Sequence, residues 1–373
     1  MSETLSANAR AILLLTAPLI VGRRASDGRT VKPLSLKREY NRLAKRLREI
    51  ERTPADLLSA AAGPVLDDCL GAADPAVGRL DRGRIEALLG RGMQLGLAVD
   101  NWRTRAIWVL SRADDAYPRR LKRRLGGGAP AVLYGCGDRS FLDDGGLAVV
   151  GPRAAGENLL GYARDVGGLA AEAGRTVVSG GARGVDRAAM SGALAAGGRA
   201  IGVLASDLAR AATHRDNRDA LLDGTLVLVS AYDPAARFLP GHAMERNHAV
   251  YGLADAALVV EALVDRGGTW AGARAQLERG SARPGHASPV YVRSTLGDSE
   301  GLLALETRGA LPWPNPRGPE EFATVLDQGA TETVPSGDQR RLTEEPAPSS
   351  AELRQARRGQ LTLEGMGRAT ERG

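Results

Sequence analysis

The chain has 373 residues, 43% hydrophobic and 25% charged, which is the balance of a globular protein and more length than one ordinary core needs. All but four of its 50 basic residues are arginine (the lysines are Lys32, Lys37, Lys45 and Lys122), and against 44 acidic residues this leaves a net charge of +6. Arginine offers phosphate a planar fork where lysine offers a point charge, so the excess fits an anionic partner as well as it fits codon bias.

Cys69 and Cys136 are the only cysteines, which excludes a disulfide scaffold and a cysteine zinc site. His214, His242, His248 and His286 show no metal-ligand spacing, so neither a metal nor a cofactor is expected. The apolar run Ala11 to Val21 contains Pro18 and is too short to span a bilayer. It also lacks the basic flank and cleavage site of a signal peptide, so a cytoplasmic protein without a membrane partner is expected.

The first hundred residues read as helical. Leu36, Tyr40, Leu43, Leu47 and Ile50 form one apolar stripe at helical spacing, with Ser35 as N-cap and Pro54 as the stop. A second helical segment runs from Arg84 to Leu97, interrupted by Gly90 and Gly92. Between Arg103 and Arg124 lie eight basic residues against only Asp114 and Asp115, and Gly126-Gly127-Gly128 then reads as a flexible joint.

After Leu147 short apolar runs alternate with helical patterns. The runs are Leu147–Val150, Thr176–Val178, Ala200–Leu204, Leu226–Val229, Ala257–Val260 and Pro289–Val292; helices are expected near Glu157–Ala173, Asp186–Ala196 and Thr269–Arg279. Two-sided apolar strands joined by amphipathic helices predict a Rossmann-like, doubly wound α/β fold with a mostly parallel sheet. The expected division is a helical, basic region over 1–140, the α/β domain over 141–317, and a tail over 318–373. That tail should hold a short helix at Pro319–Leu326 and be disordered from Gly329 onward, where composition turns to Pro, Ser, Glu and Arg.

The chemistry lies where those strands end. Gly151-Pro152-Arg153 follows the first run; Ser179-Gly180-Gly181-Ala182-Arg183-Gly184 follows the second and opens into a helix at Asp186. Glu261 and then Gly267-Gly268-Thr269 follow a later run and open into another. Glycine-rich turns at helix N-termini, with arginine beside them, build a phosphate cradle. Neither GxxxxGK[ST] nor GxGxxG with its acidic partner is present, so neither an ATPase nor a dehydrogenase site is expected.

Val150-Gly151-Pro152-Arg153, the SGGARGVD run, Ala193-Leu194, Phe238, Arg246-Asn247, Gly252-Leu253-Ala254-Asp255, Val259-Val260-Glu261-Ala262 and Gly268-Thr269 resemble, in order and spacing, the DprA/Smf family. Trp108-Val109-Leu110, Asp115, Tyr117-Pro118, Leu121 and Leu133-Tyr134 resemble the lead-in to that family's first strand. The resemblance implies a Rossmann-like protein that binds single-stranded DNA and helps load a RecA-type recombinase, acting as a homodimer without catalysis. It places Arg153, Ser179, Gly180, Arg183, Arg246, Asn247, Gly268 and Thr269 in the strand groove; the glycine turns add Gly181, Gly184 and Gly267. Phe238 or Tyr232 could stack a base. The basic block from Arg103 to Arg124 would extend the track.

The sequence departs from the family pattern at Met190 (usually histidine), Ala231 (usually glutamate) and His248 (usually a second arginine). The departures suggest a specialised member, encoded beside a partner protein in a phage-defence or toxin–antitoxin pair. Gln360-Leu361-Thr362-Leu363-Glu364 weakly resembles a sliding-clamp docking peptide. Two other readings use the same cradle: a nucleotide sensor acting on a partner protein, and a LOG-type nucleotide hydrolase. The hydrolase motif lacks its proline here and has Gly272 near the expected glutamate; Asp186 and Glu261 are expected instead to order the loops by accepting backbone hydrogen bonds.

Overall fold

The structure is a computed structural model that describes residues 5–19, 31–71, 80–283, 285–294 and 299–331. The amino-terminal helices are α1 (Ala7–Thr16), α2 (Asn41–Glu49), α3 (Ala62–Leu70), α4 (Arg82–Leu89) and α5 (Gly92–Arg103). Ser6 caps α1 by accepting from the Ala9 N–H at 2.9 Å, and Ala11 to Leu15 are buried. Ser35 accepts from the Glu39 N–H as an N-cap should, but the first turn it opens, Leu36–Tyr40, is π-helical, and α2 follows. Tyr40, Leu43 and Leu47 form the buried stripe, while Leu36 remains exposed. The second expected helix is two, broken at Gly90.

The remaining elements are β1 (Trp108–Ser111), α6 (Arg119–Leu125), β2 (Val132–Gly137), β3 (Leu147–Val150), α7 (Glu157–Glu172), β4 (Val177–Ser179), α8 (Val185–Ala195) and β5 (Ala200–Leu204). They continue with α9 (Leu208–Thr213), α10 (Arg215–Leu222), β6 (Leu226–Ser230), α11 (Pro240–Leu253), β7 (Ala256–Val259), α12 (Gly267–Ala282) and β8 (Val290–Val292). The last are α13 (Glu300–Glu306), β9 (Leu311–Pro312) and α14 (Pro319–Thr331).

One sheet of nine strands has the order β1-β2-β6-β5-β4-β3-β7-β8-β9. From β6 to β9 all pairs are parallel, whereas β2 joins β6 antiparallel, with Tyr134 opposite Ser230, and β1 joins β2 antiparallel. The doubly wound α/β expectation holds. Every run expected as a strand is one, because strands buried on both faces read as continuous apolar segments. The division at 140 falls inside this sheet: β1 and β2 precede it, yet β2 pairs with β6. Gly126–Gly128 is a 3-10 turn whose neighbours are tied down, since the Arg112 Nη1 donates to the carbonyls of Gly127 (3.2 Å) and Ala129 (3.1 Å).

Two apolar layers enclose the sheet. Residues of α1, α7, α8 and α14 pack one face around Leu147, Val149 and Val177; residues of α6, α11, α12 and α13 pack the other around Ala148, Val150 and Val178. The helix expected at Pro319–Leu326 extends to Thr331. The expected disorder beyond Thr331 and the Gln360–Glu364 segment lie outside the described residues. No described helix is long and apolar enough to cross a membrane.

Candidate nucleic-acid interface

The strand order reverses between β3 and β7. Helix α7 leaves β3 toward one face and α12 leaves β7 toward the other, so the turns part and leave a crevice at the carboxyl edge, where open α/β sheets hold ligands. The glycine-rich turn after β4 flanks it. These turns are joined by specific bonds. Thr269 Oγ1 donates to the Gly151 carbonyl at 3.0 Å, the Val185 N–H to Pro152 O at 3.3 Å, and the Val260 N–H to Val150 O at 2.9 Å. Gly184 has φ +87°, and a Cβ there would sit 2.3 Å from Pro152 O, so only glycine fits between the two turns.

Beneath the turns lies a buried ion pair. Arg246 Nη1 is 3.6 Å from Asp186 Oδ2, and both side chains are less than a tenth exposed. Asp186 also accepts from the backbone N–H groups of Gly151, Gly180 and Ala182. Burial pushes its carboxyl above the ordinary range, opposed by Arg246 and those three donors; burial likewise pulls the Arg246 guanidinium down. Glu261 is equally committed. Its Oε1 accepts from the Ala262 N–H at 2.9 Å and from Ser299 Oγ, and Arg293 Nη2 lies 3.5 Å from Oε2. Both acids order loops, as their positions in the sequence suggested.

A sequence model of the DNA recombination-mediator protein A family matches residues 108–296, half of the chain, and its match starts at the first residue of β1. The chain belongs to this family. The DNA processing protein DprA of Mycobacterium tuberculosis is 36% identical over 227 residues, which are 57% of this chain and 54% of that protein. DprA of Streptococcus pneumoniae is 32% identical over 157 residues, 41% of this chain and 54% of the relative. Its crystal structure superposes with TM-score 0.57 and 23% identity over 77% of this chain and 92% of that one. DNA processing protein A of Helicobacter pylori, whose structure describes a single-stranded DNA binding mode, gives TM-score 0.48 at 22% identity over 60% of this chain and 96% of that one. The chain spans about half the length of the curated relatives it matches.

The candidate residues divide into two groups. Arg153, Arg183, Gly267 and Gly268 are exposed at the carboxyl edge, with Gly181 and Gly184 half-buried beside them. Ser179, Arg246 and Asn247 are buried. Ser179 Oγ donates to Val149 O at 2.6 Å, and Asn247 Nδ2 donates to Gly268 O at 2.8 Å. Gly180 lies against Arg246, so closely that a Cβ would fall 1.3 Å from Nη1. The buried group is bonded to the strands and turns, and the exposed group is open to solvent.

The two aromatic candidates also differ. Phe238 is 43% exposed, with the Arg153 guanidinium 4.8 Å from its ring centroid. Tyr232 is half-buried, stacks on His242 at 3.8 Å, and donates toward His242 O or Glu245 Oε2. One face of Tyr232 is therefore covered.

Sequence reasoning missed four arginines. Arg187 stands in the first turn of α8 and Arg210 in the first turn of α9; Arg237 precedes α11 and Arg266 precedes α12. All four are exposed, and among the described residues they have no carboxylate partner; the same holds for Arg183. Their signal was position: each falls within eight residues after a strand that feeds this edge.

Much of the basic block is engaged within the fold. Arg124 is buried and donates to the carbonyls of Tyr251, Gly252 and Ala254, capping α11, while its own pKa falls to about 10 through burial. Arg120 pairs with Asp255, Arg103 with Asp100 at 3.6 Å, and Arg105 with Asn101. Arg119 and Arg123 are exposed, but beside Asp143 and Ser140 at the amino ends of the parallel strands, opposite the crevice. Among the described residues no His/Cys/Asp/Glu group could hold a metal ion.

Proposed function

We propose that the carboxyl edge binds single-stranded DNA, with Arg153, Arg183, Gly181, Gly184, Gly267, Gly268 and Thr269 meeting the phosphates, Phe238 meeting a base, and buried Gly180 giving Arg246 its room beneath them. The observation that carries this reading is the set of exposed arginines around the β3–β7 crevice that have no carboxylate partner among the described residues. Unpaired cations beside helix N-termini favour a polyanion, and backbone contacts of this kind carry no sequence code. Buried Arg246, Asn247 and Ser179 act as positioning residues. Family membership supports DNA as the polyanion.

The bonding of Asp186 and Glu261 supports a non-enzymatic role, because neither carboxylate is placed to attack or protonate a glycosidic bond. Within this proposal the protein is a cytoplasmic homodimer that hands its strand to a RecA-type recombinase or to a partner encoded nearby.

The test measures binding of fluorescent oligo-dT, duplex DNA and mononucleotides at two salt concentrations, with wild type, Arg153→Ala and Arg183→Ala. Single-strand preference, a steep salt slope and weaker binding by either variant are expected. Mononucleotide binding without oligonucleotide affinity would overturn the proposal in favour of a nucleotide sensor, and release of free base would point to hydrolysis.

A further inference from the structure

The segment between β7 and α12 is a tight turn with apolar side chains at its tip. Leu263 is 65% exposed and Val264 37%, two adjacent aliphatic side chains in solvent. The turn is rigid. Leu263 and Arg266 form an antiparallel bridge, with the Arg266 N–H donating to Leu263 O at 3.1 Å. Asp265 adopts φ +53° and accepts from Trp270 Nε1 at 3.1 Å, and Trp270 is buried in the core. The base of the turn is fixed by the Val260 N–H to Val150 O bond, which ties it to the end of β3, three residues before Arg153. Leu263 and Val264 thus stand on the loop that follows β7, one of the two strands between which the sheet order reverses, and exposed Arg266 follows them directly.

We propose that the Leu263–Arg266 turn is a wedge whose aliphatic tip enters between two neighbouring bases of the bound strand, while Arg266 neutralises the phosphate linking them. This inference rests on the single-stranded DNA reading above. Aliphatic side chains are used in this way by DNA-bending proteins, where an apolar wedge replaces the stacking it breaks. A single strand has no pairing to lose, so only one stacking contact is exchanged. The turn is already ordered by Trp270 and the bridge, so inserting it costs little conformational entropy. The flanking charge and the continuity with the cradle select a nucleic-acid strand as the occupant of this apolar tip.

The experiment uses the full chain and oligo-dT carrying a single 2-aminopurine, moved through successive positions. Wild type should brighten the probe at one position relative to the glycine turns, because unstacking relieves its quenching. The double variant Leu263→Ser with Val264→Ser should lose the brightening and bind about tenfold more weakly with an unchanged salt slope, since it removes no charge. Leu263→Met with Val264→Ile should keep both readouts, and Arg266→Ala should lower the salt slope by about one. Wild-type affinity and brightening in the serine variant, or wild-type binding without brightening at any position, would overturn the wedge and leave the DNA reading standing. Failure of wild type to bind oligo-dT would overturn the DNA reading itself.

Discussion

Arg246 on α11 and Asp186 on α8 face one another at 3.6 Å beneath the carboxyl edge of the sheet. Because Asp186 also accepts from N–H groups of Gly151, Gly180 and Ala182, this pair sets the position of two ligand turns at once. Removing either partner leaves the other charge buried. Asp186→Asn and Arg246→Met should each cost about 3–5 kcal/mol in urea unfolding and weaken oligo-dT binding. The double variant should recover part of the stability, since no lone charge remains, without recovering binding. Equal stability losses that simply add would show that the two side chains act independently.

The exposed arginines make the opposite prediction. Arg153→Ala and Arg183→Ala should leave unfolding free energy within about 0.5 kcal/mol of wild type, because neither side chain has a buried role. Each should reduce the slope of log affinity against log salt by about one. Arg119→Ala with Arg123→Ala removes as many charges from the amino ends of the strands. That variant should keep the wild-type slope; a fall equal to that of Arg153→Ala with Arg183→Ala would place the strand elsewhere.

Much of this was legible in the sequence. The strands β3 to β8 are continuous apolar runs, a pattern fixed by burial on both faces, and glycine turns mark where they end. The antiparallel addition of β2 was not legible, because its pairing with β6 joins segments about ninety residues apart and leaves no local pattern. Charge was legible as residue type but not as use. Arg153 and Arg246 look alike in the sequence, yet one lies in solvent against Phe238 and the other is buried against Asp186. The block from Arg103 to Arg124 carries the largest local excess, but Arg112, Arg120 and Arg124 spend their charge on carbonyls and on Asp255. Only the fold shows which carbonyls need donors.

In the amino-terminal helices Glu39 gives a pH prediction. Its carboxylate accepts from Arg84 Nη1 at 2.5 Å and from the Ser35 N–H at 2.8 Å, and its pKa falls to about 2, chiefly through the Arg84 bond. A carboxylate depressed in the folded state stabilises it above its unfolded pKa, and that contribution disappears as pH falls through the folded pKa. Glu39→Gln should therefore be less stable than wild type by about 1–3 kcal/mol at pH 7. The difference should shrink between the ordinary value of 4.5 and about 2, as followed by urea unfolding across that range. A gap that persists at pH 2 would mean that packing rather than charge separates the two proteins.

Gly184 tests how tightly the turns are built. Alanine there must hold φ near +87° and must also place its Cβ 2.3 Å from Pro152 O and 2.6 Å from Arg153 O, so the turn has to move. Gly174, at the far end of α7, has φ +66° but open space around its missing side chain. Gly174→Ala should pay only the backbone cost of about 1 kcal/mol and bind oligo-dT like wild type. Gly184→Ala should lose about 1–3 kcal/mol and weaken binding as well, because relieving the clash pushes the Arg153 turn away from the Gly180–Gly184 turn. Wild-type affinity in Gly184→Ala would show that the strand does not need those two turns in their present contact, and with that the phosphate role assigned to them would fall.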